Sequence, residues 1–380
     1  MSNTNSRFPT IRKLCLAKDA YNHCEENDTL FKEAMIENYK YQLEQQPFFK
    51  YLAEKSGFSI DQIVDYKDVF NIPPLFVGTM KMNRFCNVPD EEIALTLTSS
   101  GTGGQKTQLN LDKESLDNLE KLAVSSFVDL GYADETPAHY IVLGYSRDKS
   151  SQIGTSWSDE QVMQYAPQKS THWQIHWNDE SQKFDFDYHE TANLLISLAE
   201  DAPIRLIGFP AFMHQVVEEV VRIKPNLRVH PKSFIIAGGG WKNHNGTPMT
   251  HSDFAQYVET SIGLPAENVR DNYGMAEHGV PYSSCSAGHH HVPIYGRLQV
   301  VDPLTMKGKP LGEEGLLKLL TPYNTTQPNL AVLSTDLVTL GDNCPCGVKG
   351  PYIASIRRGG KVKHKGCAIA AQEILNAAQK

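Results

Sequence analysis

Apolar residues recur at every fourth position within residues 30–46, at Phe31, Met35, Tyr39 and Leu43, which predicts an amphipathic helix interrupted by Pro47. A second short helix, residues 48–55, should stop at Gly57, and Ser59-Ile60-Asp61-Gln62 has the form of a capping box. The strongest helical pattern is Leu116, Leu119, Ala123, Phe127 and Leu130, spaced 3-4-4-3 and closed by Gly131. Residues 140–143 read as a buried strand, and residues 146–170, rich in Ser, Asp and Gln, as a long loop or lid. Trp173, Ile175 and Trp177 alternate, as do Phe184, Phe186 and Tyr188, which predicts a half-exposed hairpin. His172 and His176 fall on the other face of its first strand and are expected to be solvated or hydrogen-bonded there. Residues 1–29 are polar and carry little pattern.

Helices and strands then alternate: 192–200 with 204–207, 212–221 with 234–237, and 254–262 with 269–273. Helices of this length between short apolar strands imply a mainly parallel sheet, whose ligands gather beyond the carboxyl ends of the strands. Over residues 292–339, Pro/Gly turns and short strands (298–301, 316–319, 337–340) replace that rhythm. The expected fold class is α/β, with parallel sheets flanked by helices plus a small β-rich lobe. Its expected parts are an N-terminal helical segment packed on the core (1–70), an α/β core (71–290), the β-rich lobe (291–350) and a C-terminal tail (351–380).

A chain of 380 residues with a 40% hydrophobic and 21% charged composition can bury a large core, as an ordinary soluble protein does. The net charge of −8 and the lack of a dense basic stripe argue against a nucleic-acid partner, the one notable basic cluster being residues 357–365. No apolar run reaches the length of a membrane span, and the polar N-terminus lacks a secretory hydrophobic stretch. Seven unevenly spaced cysteines suit a reducing compartment, so a cytoplasmic location is expected.

Candidate chemistry centres on Thr98-Ser99-Ser100-Gly101-Thr102-Gly103-Gly104-Gln105-Lys106-Thr107, which follows a short Thr-rich apolar run and precedes the strongly periodic helix. Glycines let backbone N–H groups approach an anion, hydroxyls add donors and Lys106 adds charge, so the run suits phosphate better than a mobile surface turn. Its end resembles a Walker loop, but Ser100 and Gln105 stand where that pattern requires glycine. Gly238-Gly239-Gly240-Trp241 at a strand end would let backbone approach a flat base. Asn272-Tyr273-Gly274-Met275-Ala276-Glu277 offers a carboxylate able to hold Mg²⁺ against phosphate. Ser334-Thr335-Asp336 offers an acid for a ribose diol.

Together, S-S-G-T-x-G, a Gly-rich strand end, Y-G-M-A-E and T-D resemble, in order and approximate distance, the adenylate-forming superfamily. A narrower resemblance is to the LuxE family of acyl-protein synthetases. It rests on residues 98–106, on Gly238-Gly-Gly-Trp-Lys242, on Val269-Arg-Asp271, on His291-Val-Pro293 and on Lys365-Gly-Cys-Ala368, and covers roughly residues 70–375. The resemblance implies an adenylate-forming core that uses ATP and Mg²⁺ to turn a carboxylic acid, expected to be a fatty acid, into acyl-AMP. It implies that Thr98, Ser99, Ser100, Gly101, Thr102, Gly103, Gly104 and Lys106 grip the phosphates and that Gly238, Gly239 and Gly240 flank adenine. Asn272, Tyr273 and Gly274 join the ATP site, Glu277 serves Mg²⁺ and Asp336 the ribose. Cys367 would accept the acyl group for delivery to an acyl reductase or carrier protein, its thiolate favoured by Lys363, His364 and Lys365.

The Y-G-M-A-E run and the cysteines look more like phenylacetate-CoA ligases. Cys285, Cys344, Cys346 and one histidine of the run 289–291, with His291 taken forward, form a ligand set suited to structural zinc. An alternative expectation is therefore a ligase that passes the acyl group to coenzyme A or a carrier protein. Such ligases normally carry a further C-terminal lid domain, and an end 13 residues after Cys367 favours acyl transfer to that cysteine instead. A third expectation is an inactive zinc-containing scaffold.

Overall fold

The structure, a computed structural model, describes residues 6–98, 107–145, 159–180, 183–241 and 248–359. The chain divides into two compact units: one of residues 1–126, 275–281 and 291–380, the other of residues 127–274 and 282–290.

The second unit is built on a seven-stranded sheet in the order Tyr282–Ser283, Val269–Tyr273, Phe234–Gly238, Ile204–Gly208, Ala138–Tyr145, Gln168–Asn178, Lys183–Phe186. The inner strands pair in parallel and both edge pairs are antiparallel. Every residue of Ile204–Gly208 is buried, as expected of a strand covered on both faces. The helices Tyr188–Leu198, Pro210–Ile223 and His251–Ile262 bury Leu195, Val216, Val217, Val220, Phe254 and Val258 against Ile141, Leu143, Leu206 and Ile235. Each such fully buried side chain contributes about 1.5–3 kcal/mol over its exposed state.

Local signals explain where these helices begin. Asp187 caps the first by accepting from His189 N and Glu190 N, so Tyr188 opens a helix where the alternation pattern had made it the end of a strand. Pro210 starts the second at a position needing no N–H donor. Thr250 caps the third, which ends at Gly263 in the left-handed region (φ 71°). The stretch expected to be one loop, 146–170, is shorter than that: residues 159–162 are helical and residue 168 opens a strand, while 146–158 lie outside the described residues. Glycine is required at 208 (φ 137°), where a Cβ would stand 2.4 Å from Leu143 O on the neighbouring strand.

The first unit contains the expected helices as Glu25–Gln45 and Pro47–Ser56, and the predicted capping box closes a 3₁₀ turn at Ile60–Gln62. A helix Pro9–Cys15, buried through Ile11, Leu14 and Cys15, lies in the stretch that showed no pattern. The β-rich portion is a six-stranded sheet in the order His290–His291, Tyr352–Arg358, Ala331–Gly341, Gly315–Leu320, Arg297–Val301, with Leu75–Phe76 added in parallel on Ala331–Gly341. Lys318 sits inside this sheet, 4% exposed, and donates from Nζ to Phe70 O and Ile72 O, both at 2.7 Å.

Residues 321–330 have no regular structure and are all buried. Their backbone is satisfied by side chains. Asn38 Nδ2 donates to Pro322 O and Asn324 O, and Gln42 Nε2 and Asn87 Nδ2 both donate to Thr325 O. From the other side, Asn110 N donates to Gln327 Oε1 and Asp112 N to Thr326 Oγ1. Among the described residues no helix is long and apolar enough to cross a membrane.

Candidate functional site

The strand Ile93–Thr98 pairs antiparallel with Gln108–Asp112, with Thr98 opposite Gln108, and the helix Lys113–Val128 begins only after that second strand. The Ser/Gly/Thr run therefore joins two strands of a hairpin, and a strand stands between it and the periodic helix that it precedes. Walker loops run from strand to helix, so the connection, as well as the missing glycines, separates this run from them. Ser99, Ser100, Gly101, Thr102, Gly103, Gly104 and Lys106 themselves lie outside the described residues, as does Cys367.

In the second unit, Gly238 and Asn272 are register partners at the carboxyl ends of adjacent parallel strands. Gly239 and Gly240 follow with φ of 74° and 69°, so the chain turns there in a conformation that favours glycine. Gly238 and Gly274 are different. Among the described residues, a Cβ on Gly238 would meet nothing closer than Asn272 O at 3.9 Å, and one on Gly274 nothing within 4 Å. Neither has a positive φ, so neither glycine is required by the backbone or by packing among the described residues, and both leave space among them at these strand ends. Asn272 is held by Tyr132, whose Oη donates to Asn272 Oδ1 at 3.4 Å and to Ser284 O at 3.1 Å. Asp271 is partly buried, and that desolvation pushes its carboxyl up. The hydrogen bond from His290 Nε2 at 3.2 Å and the charges of His290 and His251 outweigh burial and hold it below the usual range.

Glu277 and Asp336 belong to the first unit. Glu277 is 6% exposed, and its backbone carbonyl accepts from Asn329 Nδ2 at 3.0 Å. The neighbouring His278 is fully buried, and burial lowers its pKa to about 3, so the imidazole beside Glu277 is neutral. Asp336 lies half-buried within Ala331–Gly341, opposite Arg358 in register, and its backbone N donates to Ser334 Oγ at 2.9 Å. Asn329, which holds the backbone of Glu277, is a contact that the sequence did not single out. Its only local signal is Pro328-Asn329, which reads as an ordinary turn.

His291, Cys344 and Cys346 come together in the first unit, with ligand atoms within 4.8 Å of one another and His291 Nε2 3.3 Å from Cys346 Sγ. A tetrahedral zinc with bonds of about 2.0–2.3 Å sets its ligand atoms roughly 3.3–3.8 Å apart, so the spacing fits. Val348 N donates to Cys346 Sγ at 3.4 Å, and Gly347 N donates to Cys344 O at 3.1 Å with φ of 87° at Gly347. In the second unit, Cys285 repeats the motif: Ala287 N donates to its Sγ at 3.4 Å, and its own N donates to His289 O across a tight turn. An amide aimed at sulfur favours thiolate, the form that binds metal. His291 Nδ1 is buried without a hydrogen-bond partner.

The family model described as "Acyl-protein synthetase, LuxE" matches residues 5–376. A relative from Aliivibrio fischeri named long-chain-fatty-acid–luciferin-component ligase is 26% identical over 330 residues, 85% of this chain and 84% of the relative. A relative of the same name from Vibrio harveyi is 24% identical over 344 residues, 89% and 86% of the two chains. Among solved structures, 2-hydroxyisobutyryl-CoA ligase with its adenylate and CoA in the thioesterification state superposes with a TM-score of 0.66 at 17% identity, over 94% of this chain and 73% of that one. Its open conformation gives a TM-score of 0.64 at 17% identity, over 93% and 78%. The fold is thus that of adenylate-forming ligases.

Proposed function

The chain belongs to the LuxE family of acyl-protein synthetases, and from that premise we propose that it activates a long-chain fatty acid with ATP and loads the acyl group onto its own Cys367. The activity class is that of an acid-activating ligase. The observation that supports the activation step is the hairpin connection of the Ser/Gly/Thr run, which suits a phosphate-gripping loop, while loading of Cys367 rests on the family. The acid comes from the relatives' printed name.

The carboxylate oxygen of the acid attacks the α-phosphorus of ATP, giving acyl-AMP and pyrophosphate. Thr98 to Gly104 and Lys106 would neutralise charge on the phosphates, a contribution of position and charge. The open space beside Gly238 and Gly274 would receive adenine, with Asn272 and Tyr273 at its border. Asp336 would accept from the ribose hydroxyls. Glu277, a buried carboxylate, would hold Mg²⁺, which offsets phosphate charge when bound. The thiolate of Cys367 then attacks the acyl carbon and AMP leaves, forming a thioester for an acyl reductase or carrier protein to take.

Cys285, His291, Cys344 and Cys346 would hold one structural zinc. The turn that begins at Cys285 leads within six residues to His291, which supports Cys285 as the fourth ligand. A closed Cys₃His set has no open position, so zinc would supply stability and no catalytic step. Intact-protein mass spectrometry after incubation with ATP, Mg²⁺ and a fatty acid tests the proposal. A mass gain of one acyl group, lost on neutral hydroxylamine treatment, is expected. Acid-dependent ATP–pyrophosphate exchange with no acyl adduct, and acylation of added CoA, would replace acyl-protein synthesis by the CoA-ligase alternative.

A further inference from the structure

The second unit also holds a Ser–His–Asp chain that the activity above does not use. His139 and Ser170 are register partners on the adjacent parallel strands Ala138–Tyr145 and Gln168–Asn178, so their side chains leave the sheet side by side on one face. His139 Nδ1 lies 2.7 Å from Ser170 Oγ, and its Nε2 lies 2.7 Å from Asp201 Oδ2. Ser170 Oγ is also 2.8 Å from Nε2 of His172, two residues along the same strand face. His139 is 4% exposed, Ser170 and His172 are half-buried, and Asp201 opens to solvent.

The carboxylate sets the direction of every proton in this chain. Lys169 Nζ, 2.7 Å from the same Asp201 oxygen, and the bond to His139 hold the Asp201 carboxyl below its usual range, so it is ionised and only accepts. Asp201 therefore accepts from the proton on His139 Nε2, and in the neutral imidazole Nδ1 presents a lone pair to Ser170 Oγ. With His139 in that form Ser170 donates to the lone pair, and its oxygen accepts from His172 in the tautomer that carries the proton on Nε2. This is the relation of a nucleophile to a general base whose orientation is fixed by a third group.

We propose that Ser170, His139 and Asp201 form a second catalytic site, a serine esterase centre for small activated acyl esters. Ser170 Oγ attacks the ester carbonyl carbon while its proton passes to His139 Nδ1. The leaving alkoxide takes that proton and departs as the alcohol, and the acyl group remains on Ser170. Water then attacks the acyl carbon, again giving a proton to His139, which returns it to the departing Ser170 oxygen. Ester and water thus become acid and alcohol, with the enzyme restored. His172 Nε2–H, already beside Oγ, is the donor nearest the developing oxyanion. Ser170 is half-buried against a sheet face, so the acyl group it fits is small, an acetyl ester in preference to a fatty one.

Hydrolysis of p-nitrophenyl acetate and labelling by a fluorophosphonate, mapped by peptide mass spectrometry on the full chain, test the site. One adduct on Ser170 is expected. Ser170→Ala should lose both adduct and hydrolysis, and His139→Gln should slow hydrolysis on the order of 100-fold. Both variants should keep acid-dependent ATP–pyrophosphate exchange, an independent sign that the chain has folded. Should His139→Gln fail to fold, Asp201→Asn at the exposed end of the chain must lower hydrolysis in its place. Hydrolysis unchanged in Ser170→Ala, or an adduct confined to another residue, overturns the proposal.

Discussion

Lys318→Met tests whether the sheet of the first unit buries a neutral amine. Burial lowers the pKa of Lys318 from 10.5 to about 7, and among the described residues its Nζ meets the carbonyls of Phe70 and Ile72 and no carboxylate. The folded chain thus binds this proton less well than the unfolded chain. Between about pH 7 and 10.5 the unfolded state holds the extra proton, so this group makes stability rise with pH, by at most about 1.4 kcal/mol per pH unit. The contribution is complete above the unfolded value and is lost as pH falls through the folded one, about 5 kcal/mol across the window. Methionine keeps the stem and removes the titration, leaving two carbonyls without a donor at about 1–3 kcal/mol each, a cost that does not depend on pH. The signature is therefore the pH slope of the difference between the two proteins. Urea unfolding followed by circular dichroism at pH 7.5, 8.5 and 9.5 should show the native chain gaining about 2.5 kcal/mol on the variant over that range. Groups that titrate alike in both cancel. A difference that stays flat would mean that Lys318 is an ammonium in the folded chain, and the argument from burial would fail.

Glu277→Gln and Asp336→Ala should each lower acid-dependent pyrophosphate exchange by about 100-fold with unchanged circular dichroism, and normal exchange in either would remove its assigned role. Protein purified without chelator should contain about one zinc per chain by elemental analysis, and Cys344→Ser should lose both the metal and several degrees of melting temperature; metal-free, fully stable protein would refute the site. Cys367→Ala should still release pyrophosphate and form acyl-AMP but retain no acyl group, whereas equal acyl retention in variant and native chain would move the acceptor elsewhere.

The second unit was legible because its elements repeat. A helix with one apolar stripe and a strand buried on both faces each leave a period in the sequence, and 204–208, 234–238 and 269–273 were placed to within a residue. The helix Pro9–Cys15 was not legible, since seven residues span about two turns and only packing reveals which of them are inside. Gln108–Asp112 did carry a strand signal in Leu109 and Leu111, but five residues of alternation stood beside sixteen of strong helical period. For the site, the residues offering donors and acceptors could be named in advance. Asn329 could not, because its partner is a backbone carbonyl, and carbonyls have no sequence.

The buried segment 321–330 bears on how this protein can change over generations. Asn38 serves two carbonyls of that segment, while Gln42 and Asn87 share a third. Replacing Asn38 takes the side-chain donor from two buried carbonyls at once, whereas Thr325 O loses both of its donors only when Gln42 and Asn87 are replaced together. Mutations at these three positions are therefore tied to a segment 238 to 286 residues away in the chain. Relatives should inherit them as a set, and chimeras that take residues 25–45 from one parent and 321–330 from another should fold poorly even when each part is native to its source.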